Sequence, residues 1–314
     1  MPEYHKPVLV NEIITLLDPR EGGVFLDATL GGGGHSAAIL EKIGRTGILV
    51  GIDRDPEALE YSGERLTSYG ESVKLVRGNF RDISSILESL GIRELDGALF
   101  DLGVSSHQLD AQRGFSFSRD EQLDMRMSRL EDTPTAADIV NSYSEINLAD
   151  LIWRYGEERY SRRIARAIVA RRQKEPITRT AELAEIVAAA IPAKNRWQQD
   201  IHPATRTFQA IRIVVNHELE AVEQGVPAAI EALKICGRVG VISFHSLEDR
   251  IVKDTFRRYS GHCTCPPRLP GCVCGAREII KVITRKPITP GADEVKENPR
   301  SRSARLRVGE RIAV

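Results

Sequence analysis

The stretch from Val24 to Asp53 constrains this chain more than any other. It reads Val24-Phe-Leu-Asp27-Ala-Thr-Leu30, then four consecutive glycines from Gly31 to Gly34, then His35-Ser36 and an apolar-periodic segment to Lys42, and finally Gly47-Ile-Leu-Val-Gly-Ile-Asp53. That order is a buried strand, a glycine turn, a helix and a second buried strand ending in a carboxylate. At about thirty residues it has the size of a βαβ crossover, which commits the chain to a parallel sheet wound with helices. The glycines let the backbone turn sharply and lie against a ligand, with helix N–H groups aimed at it. Asp53 stands twenty residues after Gly33, where a carboxylate can accept hydrogen bonds from a ribose diol.

A nucleoside-containing cofactor is the reading this unit favours over a glycine-rich turn that binds nothing. An NAD fingerprint starting at Gly31 would need glycine at position 36, where Ser36 stands. Adenosylmethionine enzymes share the βαβ start, carry no pyrophosphate and can do without the full fingerprint. Asp27, placed before the glycines, suits a cationic methionine moiety. On this stretch both cofactors remain open, with adenosylmethionine the better fit.

Downstream, Asp55-Pro56 is a helix start, with a helix expected to about Ser68. Strands are expected at 73–80 and 95–101, with a helix at 82–90 between them. Asp53, Asn79-Phe80 and Asp101 then end three successive strands, where an open α/β sheet binds its ligands. After about Asp110 the alternation stops, and helical patterns appear at about 118–130, 135–142, 145–155, 157–174, 178–191 and 204–224. It resumes with a strand at 237–244, a helix at 246–259 and strands at 278–285 and 303–311. The expected organisation is a sheet domain formed by residues 1–110 and 216–314, interrupted by a helical domain at 111–215. A helix before Asp18-Pro19 is expected to pack beside the cofactor site.

Lys+Arg and Asp+Glu both number 44, so overall charge points to no polyanion, and any nucleic-acid surface must be local. It is found between Arg154 and Glu175, where eight basic residues face three acidic ones. Ile164, Ala165 and Ile168 give that segment a buried face and leave Arg154, Arg159, Arg162, Arg163 and Arg166 to project toward phosphate. Arg206, Arg212, Arg300, Arg302, Arg305 and Arg307 could extend the track. Phe115 and Phe117 could stack on an unpaired base, although a small satellite core is the commoner use of such a pair. His217 and His245 read as structural, with Ser246 as cap of the helix that follows. No apolar run is long enough for a membrane span and residues 1–20 lack an apolar leader core, so a cytoplasmic protein is expected.

Cys263, Cys265, Cys272 and Cys274 form two C-x-C pairs within twelve residues. Four thiolates so placed could bind a structural zinc, though C-x-C is tighter than the usual spacing and reduced, unmetallated thiols are an equal alternative.

Beyond these readings, the run Asp101-Leu-Gly-Val-Ser-Ser-His-Gln108-Leu-Asp110, with Arg113-Gly-Phe-Ser-Phe117 and Leu123-Asp-Met-Arg-Met127, resembles the bacterial family that methylates a cytosine N4 in small-subunit ribosomal RNA. The resemblance continues collinearly through Tyr155-Gly-Glu-Glu-Arg159, His202-Pro-Ala-Thr-Arg-Thr-Phe-Gln209, Ile242-Ser-Phe-His-Ser-Leu-Glu-Asp-Arg250 and Asn298-Pro-Arg300, so it covers nearly the whole chain. It implies a Rossmann-like class I methyltransferase, α/β with a mostly parallel doubly wound sheet and an inserted all-helical domain. The implied cofactor is S-adenosyl-L-methionine and the implied partner is 16S rRNA, within the small subunit, at the decoding centre. Carried over residue by residue, the family's cofactor positions fall on Gly33, Gly34, His35, Asp53, Phe80, Asp101 and Gln108. Asp101, Ser105 and Ser106 are the candidates for catalysis and base contact, with His107 beside them. No N-P-P-Y signature is present, so pattern alone does not assign the acceptor for the amino hydrogen. A non-catalytic RNA-binding assembly factor on the same fold is the alternative, and an NAD-dependent oxidoreductase is a weaker third reading. Sequence leaves monomer and homodimer equally open.

Overall fold

A computed structural model describes residues 7–103, 113–130, 132–196, 202–263, 265–266, 269, 271 and 273–312 of the 314. The chain forms two compact units, Met1–Gly103 with Leu219–Val314, and Val104–Glu218. Ser105, Ser106, His107, Gln108 and Cys272 lie outside the described residues.

In the first unit the strands are β1 (Val24–Asp27), β2 (Ile48–Asp53), β3 (Val73–Arg77), β4 (Leu95–Asp101), β5 (Leu233–Ser243), β6 (Ile280–Val282) and β7 (Arg305–Arg311). They form one sheet in the order β3-β2-β1-β4-β5-β7-β6, with β7 antiparallel to both of its neighbours and every other pairing parallel. This is a Rossmann-like sheet with the inserted antiparallel strand of class I methyltransferases.

The helices of this unit are α1 (Val10–Leu17), α2 (Gly34–Ile43), α3 (Pro56–Leu66) and α4 (Ile83–Ser89) before the insertion. Alternation along the strands decides which face each of them covers. Phe25, Leu49, Leu99 and Ile242 point to one side, against Ile13 and Leu17 of α1 and Ile39 and Ile43 of α2. Leu26, Val50, Phe100 and Val241 point to the other, against Ile83 and Leu87 of α4 and residues of two helices that follow the insertion. A continuous apolar strand such as Ile48-Leu-Val is thereby buried on both faces, as expected for parallel sheets.

The second unit holds α5 (Ala136–Ser142), α6 (Glu145–Gly156), α7 (Ser161–Arg172), α8 (Thr180–Ala190), the short α9 (Ala193–Arg196) and α10 (Thr205–Asn216). Their facing apolar residues, among them Ile139, Leu148, Ile152, Ile164, Ile168 and Ile211, make a core of their own. The chain then returns through α11 (Glu218–Ala232), β5 and α12 (Ser246–Tyr259), and α13 (Ala292–Glu297) precedes β7. Among the described residues no helix is long and apolar enough to cross a membrane.

Several elements differ from the sequence expectation. The helix expected at 118–130 is absent. Asp124 Oδ1 accepts from the Arg126 N–H at 3.2 Å, Glu121 accepts from the Gly114 N–H at 2.9 Å, and Met125 takes φ 62°; these local bonds hold an irregular loop instead. The pattern at 204–224 is two helices, because His217 adopts φ 52° and ends α10. That at 157–174 shortens to Ser161–Arg172, after Glu157 closes α6 in the left-handed region. The strand expected at 278–285 pairs only over Ile280–Val282, and β5 starts earlier, at Leu233. Strand β3 ends at Arg77, so Asn79 and Phe80 lie just beyond it, with Asn79 capping a 3-10 turn that Phe80 opens. Finally, His245 rather than Ser246 caps α12. Its Nδ1 accepts from the Glu248 N–H at 3.4 Å, while Glu248 Oε2 accepts from the Phe244 N–H at 2.8 Å.

Candidate functional site

The first unit gathers its polar chemistry at the carboxyl ends of three adjacent strands. Asp53 ends β2, Asp27 ends β1 and Asp101 ends β4. The strand order reverses between β1 and β4, the position at which open α/β sheets bind ligands. Among the described residues none of the three carboxylates has a lysine or arginine partner; Asp27 and Asp53 are held by the turns around them.

The glycine turn between β1 and α2 is fastened from both sides. Gly31 and Gly33 take φ 49° and 68°, and Gly33 caps α2 in the left-handed region, where an L side chain is strained. Ser62 Oγ donates to the Gly31 carbonyl at 2.7 Å and Arg65 donates to the Gly32 carbonyl at 2.9 Å, so α3 holds the turn from outside. Within it, Asp53 Oδ2 accepts from the Gly31 N–H at 2.8 Å and Oδ1 from the Asp55 N–H at 2.9 Å. Burial pushes the Asp53 carboxyl up to about 6, against the pull of those two N–H donors. It is therefore largely ionised at neutral pH, and each oxygen keeps a further lone pair for a ligand hydroxyl.

Asp27 is almost wholly buried. It accepts from Ser36 Oγ at 2.7 Å and from the Thr29 N–H at 3.2 Å, and burial raises its pKa above the usual carboxylate value. Thr29 Oγ1 in turn accepts from the Asp101 N–H at 2.6 Å, which ties the ends of β1 and β4 together. His35, on the first turn of α2, brings Nε2 to 3.5 Å from Asp101 Oδ2. Among the described residues, both ring nitrogens of His35 and Oδ1 of Asp101 are buried without a hydrogen-bond partner. Buried polar atoms are nearly always satisfied, so three orphans at one sheet edge mark the place where a ligand would complete the network.

Phe80 lies beside this edge with its ring packed edge-on against Phe100, centroids 5.6 Å apart. Its position depends on Gly225 in α11, because a Cβ there would stand 2.7 Å from Phe80 Cδ2 and 2.8 Å from its carbonyl oxygen. The carbonyl belongs to the turn itself and cannot rotate away. Gly225→Ala is expected to cost about 1–3 kcal/mol through this overpacking, read as a shift of the urea midpoint at constant slope. An unchanged midpoint would mean that the 3-10 turn yields freely.

In the second unit the arginine-rich segment sorts into distinct uses. Arg171 is paired with Glu182, and Arg172 donates to the Val140 and Tyr143 carbonyls at 2.6 Å each, so both are structural. Arg154 pairs with Asp150 at 2.9 Å, Arg166 lies 3.5 Å from Glu145, and Arg159 covers the Tyr160 ring at 4.9 Å. Arg162 and Arg163 are exposed and make no ion pair among the described residues. Together with Trp153, the arginines Arg159, Arg162, Arg163 and Arg166 line an open groove of about 660 Å³ between α6 and α7. Trp153 is 57% exposed there and Ile146 79%.

Four of the six arginines expected to extend the track have partners within the chain, while Arg300 and Arg302 are exposed. Arg212 forms a bidentate pair with Glu218 at 2.9 and 2.8 Å, and Arg206 donates to the Glu157 carbonyl. Arg305 and Arg307 converge on Asp249, whose carboxyl burial alone would raise but whose two guanidiniums hold below the usual value. Phe115 is buried, and Phe117 packs on His202 and Phe208, so both belong to the apolar core of the second unit. The sequence assigns no site role to Thr29 or Trp153, and gives Ser36 only as a departure from the NAD fingerprint. Thr29 and Ser36 stood within the glycine stretch, but only the fold shows which carboxylate each one serves.

The profile of the MraW methylase family matches residues 3–312. A protein of Pelobacter propionicus called ribosomal RNA small subunit methyltransferase H is 53% identical over 310 residues, covering 98% of each chain. One of the same name from Heliobacterium mobile is 52% identical over 314 residues, covering 99% of this chain and 100% of its own. Another from Brevibacillus brevis is 51% identical over 311 residues and 98% of each.

Proposed function

This chain belongs to the MraW methylase family, and from that premise we propose that it transfers a methyl group from S-adenosylmethionine to the exocyclic N4 of a cytosine in 16S ribosomal RNA. The observation that carries the reading is the triad of strand-end carboxylates around a glycine turn, with buried polar atoms of His35 and Asp101 lacking a partner.

The donor set fits the cofactor. Gly33 and Gly34 allow close approach at the start of α2, Asp53 offers lone pairs for a ribose diol, and Phe80 offers an apolar edge for a purine. Asp27 supplies negative charge for the cationic end of the cofactor, and Asp101 ends the neighbouring strand. When bound, the cofactor supplies an electrophilic methyl group.

The chain's own residues must then make a poor nucleophile act. A cytosine amino group has its lone pair delocalised into the ring, so an acceptor for one amino hydrogen is needed to localise that pair and hold the nitrogen in line. Asp101, with an oxygen that no described residue satisfies, is assigned that role. Ser105 and Ser106 follow four and five residues later in sequence and are the candidates for base contacts, with Gln108 as a cofactor contact. His35 acts as a positioning residue for the Asp101 carboxylate.

The helical unit is assigned to the RNA. The groove between α6 and α7 joins a largely exposed indole to arginines, the combination that grips an unpaired strand by stacking and phosphate contact. Arg162→Glu with Arg163→Glu is expected to weaken binding to rRNA fragments of any sequence and to lower the slope of log K against log salt by about 1.5–2. Trp153→Ala is expected to weaken binding about 5- to 150-fold, the value of one lost base stack. Filter binding across a salt series reads both, and unaltered affinity in both variants would remove this face from the RNA site.

The reaction is tested by incubating labelled S-adenosylmethionine with small ribosomal subunits lacking the modification, then digesting the RNA to nucleosides. Label in N4-methylcytidine is expected. Cofactor binding without transfer to any subunit or RNA would favour a binding factor on a methyltransferase fold.

A further inference from the structure

We propose that Cys263, Cys265 and Cys274 form a thiolate site for a zinc ion, which fastens the loop between α12 and β6. Their sulfurs lie within 4.8 Å of one another. The Sγ atoms of Cys263 and Cys274 are 3.8 Å apart. Zinc–sulfur bonds of about 2.3 Å in a tetrahedron place two sulfurs about 3.8 Å apart along each edge. A disulfide needs about 2.05 Å, so the observed spacing suits a shared ion and not a bond between sulfurs.

The backbone turns toward the same atoms. The Cys265 N–H donates to Cys263 Sγ at 3.4 Å, and the Val273 N–H donates to Cys265 Sγ at 3.3 Å. N–H donors aimed at sulfur hold each side chain in place, as outer-shell donors do around metal ligands. His262 is not counted as a ligand, because its ring nitrogens are not among the atoms that gather within 4.8 Å of one another. The fourth cysteine of the sequence, Cys272, lies outside the described residues, and the site stands on the other three.

The loop itself shows what the ion would do. Its base is closed by backbone hydrogen bonds: Gly261 N–H to the Arg277 carbonyl, Arg277 N–H to Arg258, and Ile279 N–H to Tyr259. Above that base none of the described residues from 261 to 276 is buried, and Val273 is 79% exposed. No apolar contact therefore explains why three cysteines from the two arms of this loop converge. A metal cross-link does, and it would stabilise a segment too polar to pack by itself. Three thiolates are soft ligands of the kind that select zinc over magnesium or calcium.

The test uses the full-length protein, purified under reductant without chelator, with zinc measured by mass spectrometry. It compares wild type, Cys236→Ser, and Cys263→Ser combined with Cys274→Ser. Cys236 is an exposed cysteine in the first half of β5, away from the loop in sequence, so its loss controls for thiol number. About one zinc per chain is expected in wild type and in Cys236→Ser, falling at least tenfold in the double variant. Cobalt substituted for zinc should give a thiolate-to-metal charge-transfer band that the double variant lacks. Should the double variant fail to fold, wild type treated with chelator supplies the second measurement, with amide exchange at 261–276 expected to accelerate. The proposal is overturned by metal-free wild type that gives no charge-transfer band with cobalt. It is equally overturned by a double variant that keeps its zinc, by chelation that leaves exchange in the loop unchanged, or by a metal-free protein whose mass shows a disulfide.

Discussion

Replacing Asp101 with alanine is expected to lower methyl transfer by about two to four orders of magnitude, the range for losing a positioned proton acceptor or charge in an active site. The reason is geometric. Asp101 ends β4 beside the sheet's reversal point, its backbone N–H is fixed by Thr29 Oγ1 at 2.6 Å, and its Oδ1 has no partner among the described residues. Alanine keeps that backbone bond and removes only the carboxylate. Adenosylmethionine affinity should accordingly change by less than about tenfold, a loss confined to kcat marking an interaction used in the transition state. Asp101→Asn preserves the shape and one acceptor but not the charge, so its rate should fall between wild type and alanine. Equal losses in cofactor affinity and in rate would make Asp101 a cofactor ligand, and a rate within about threefold of wild type would remove it from the chemistry altogether. Single-turnover kinetics with cofactor binding by calorimetry separate these cases.

Sequence carried the sheet half of this structure further than the helical half, and the reason is the range of the forces involved. The βαβ start is written locally: a strand buried on both faces needs a continuous apolar run, a tight turn needs glycine, and Asp55 with Pro56 starts a helix by bonds spanning two residues. Because parallel strands put their carboxyl ends on one edge, the sequence places Asp53, Asn79-Phe80 and Asp101 together, with Asp27 before the glycine turn. The insertion of β7 between β5 and β6 is different. It depends on pairings such as Val241 with Arg307, which no local pattern encodes. The arginines show the same limit. Arg172, Arg212 and Arg307 looked like surface charge, yet their partners lie 32, 6 and 58 residues away, and the last two are satisfied by carboxylates. In the loop at 118–130 a helical pattern lost to side-chain bonds from Glu121 and Asp124, a competition that depends on where Gly114 and Arg126 lie. The site remains an assignment from geometry at His35, whose pairing with Asp101 across the reversal point only the folded sheet displays.

Adenosylmethionine affinity should be flat above about pH 7 and weaken as pH falls below about 6, approaching tenfold per unit in the limit, because one proton then competes with the ligand. Burial raises the Asp53 carboxyl to about 6 in the ligand-free protein. Ribose hydroxyls that donate to the ionised carboxylate stabilise that form, so the carboxyl's pKa in the complex lies below 6. Between the two values binding must expel a proton, and affinity is lost toward acid and never gained. Asp27, also raised by burial, titrates in the same direction, so a variant has to isolate the Asp53 contribution. Asp53→Asn does so. It removes the titration and turns an amide NH₂ toward one of the two backbone N–H groups that Asp53 now accepts, those of Gly31 and Asp55. With one charge-assisted bond lost and one donor left facing another, affinity at pH 7.5 should fall about 10- to 100-fold, equivalent to 1.4–2.8 kcal/mol. Whatever pH dependence survives in Asp53→Asn belongs to Asp27 and its neighbours, and the difference between the two curves should bend near pH 6. Calorimetric titrations from pH 5 to 8 measure both curves. Affinity that improves toward acid, or an Asp53→Asn protein that binds as tightly as wild type, would show that the carboxylate ending β2 serves the glycine turn alone.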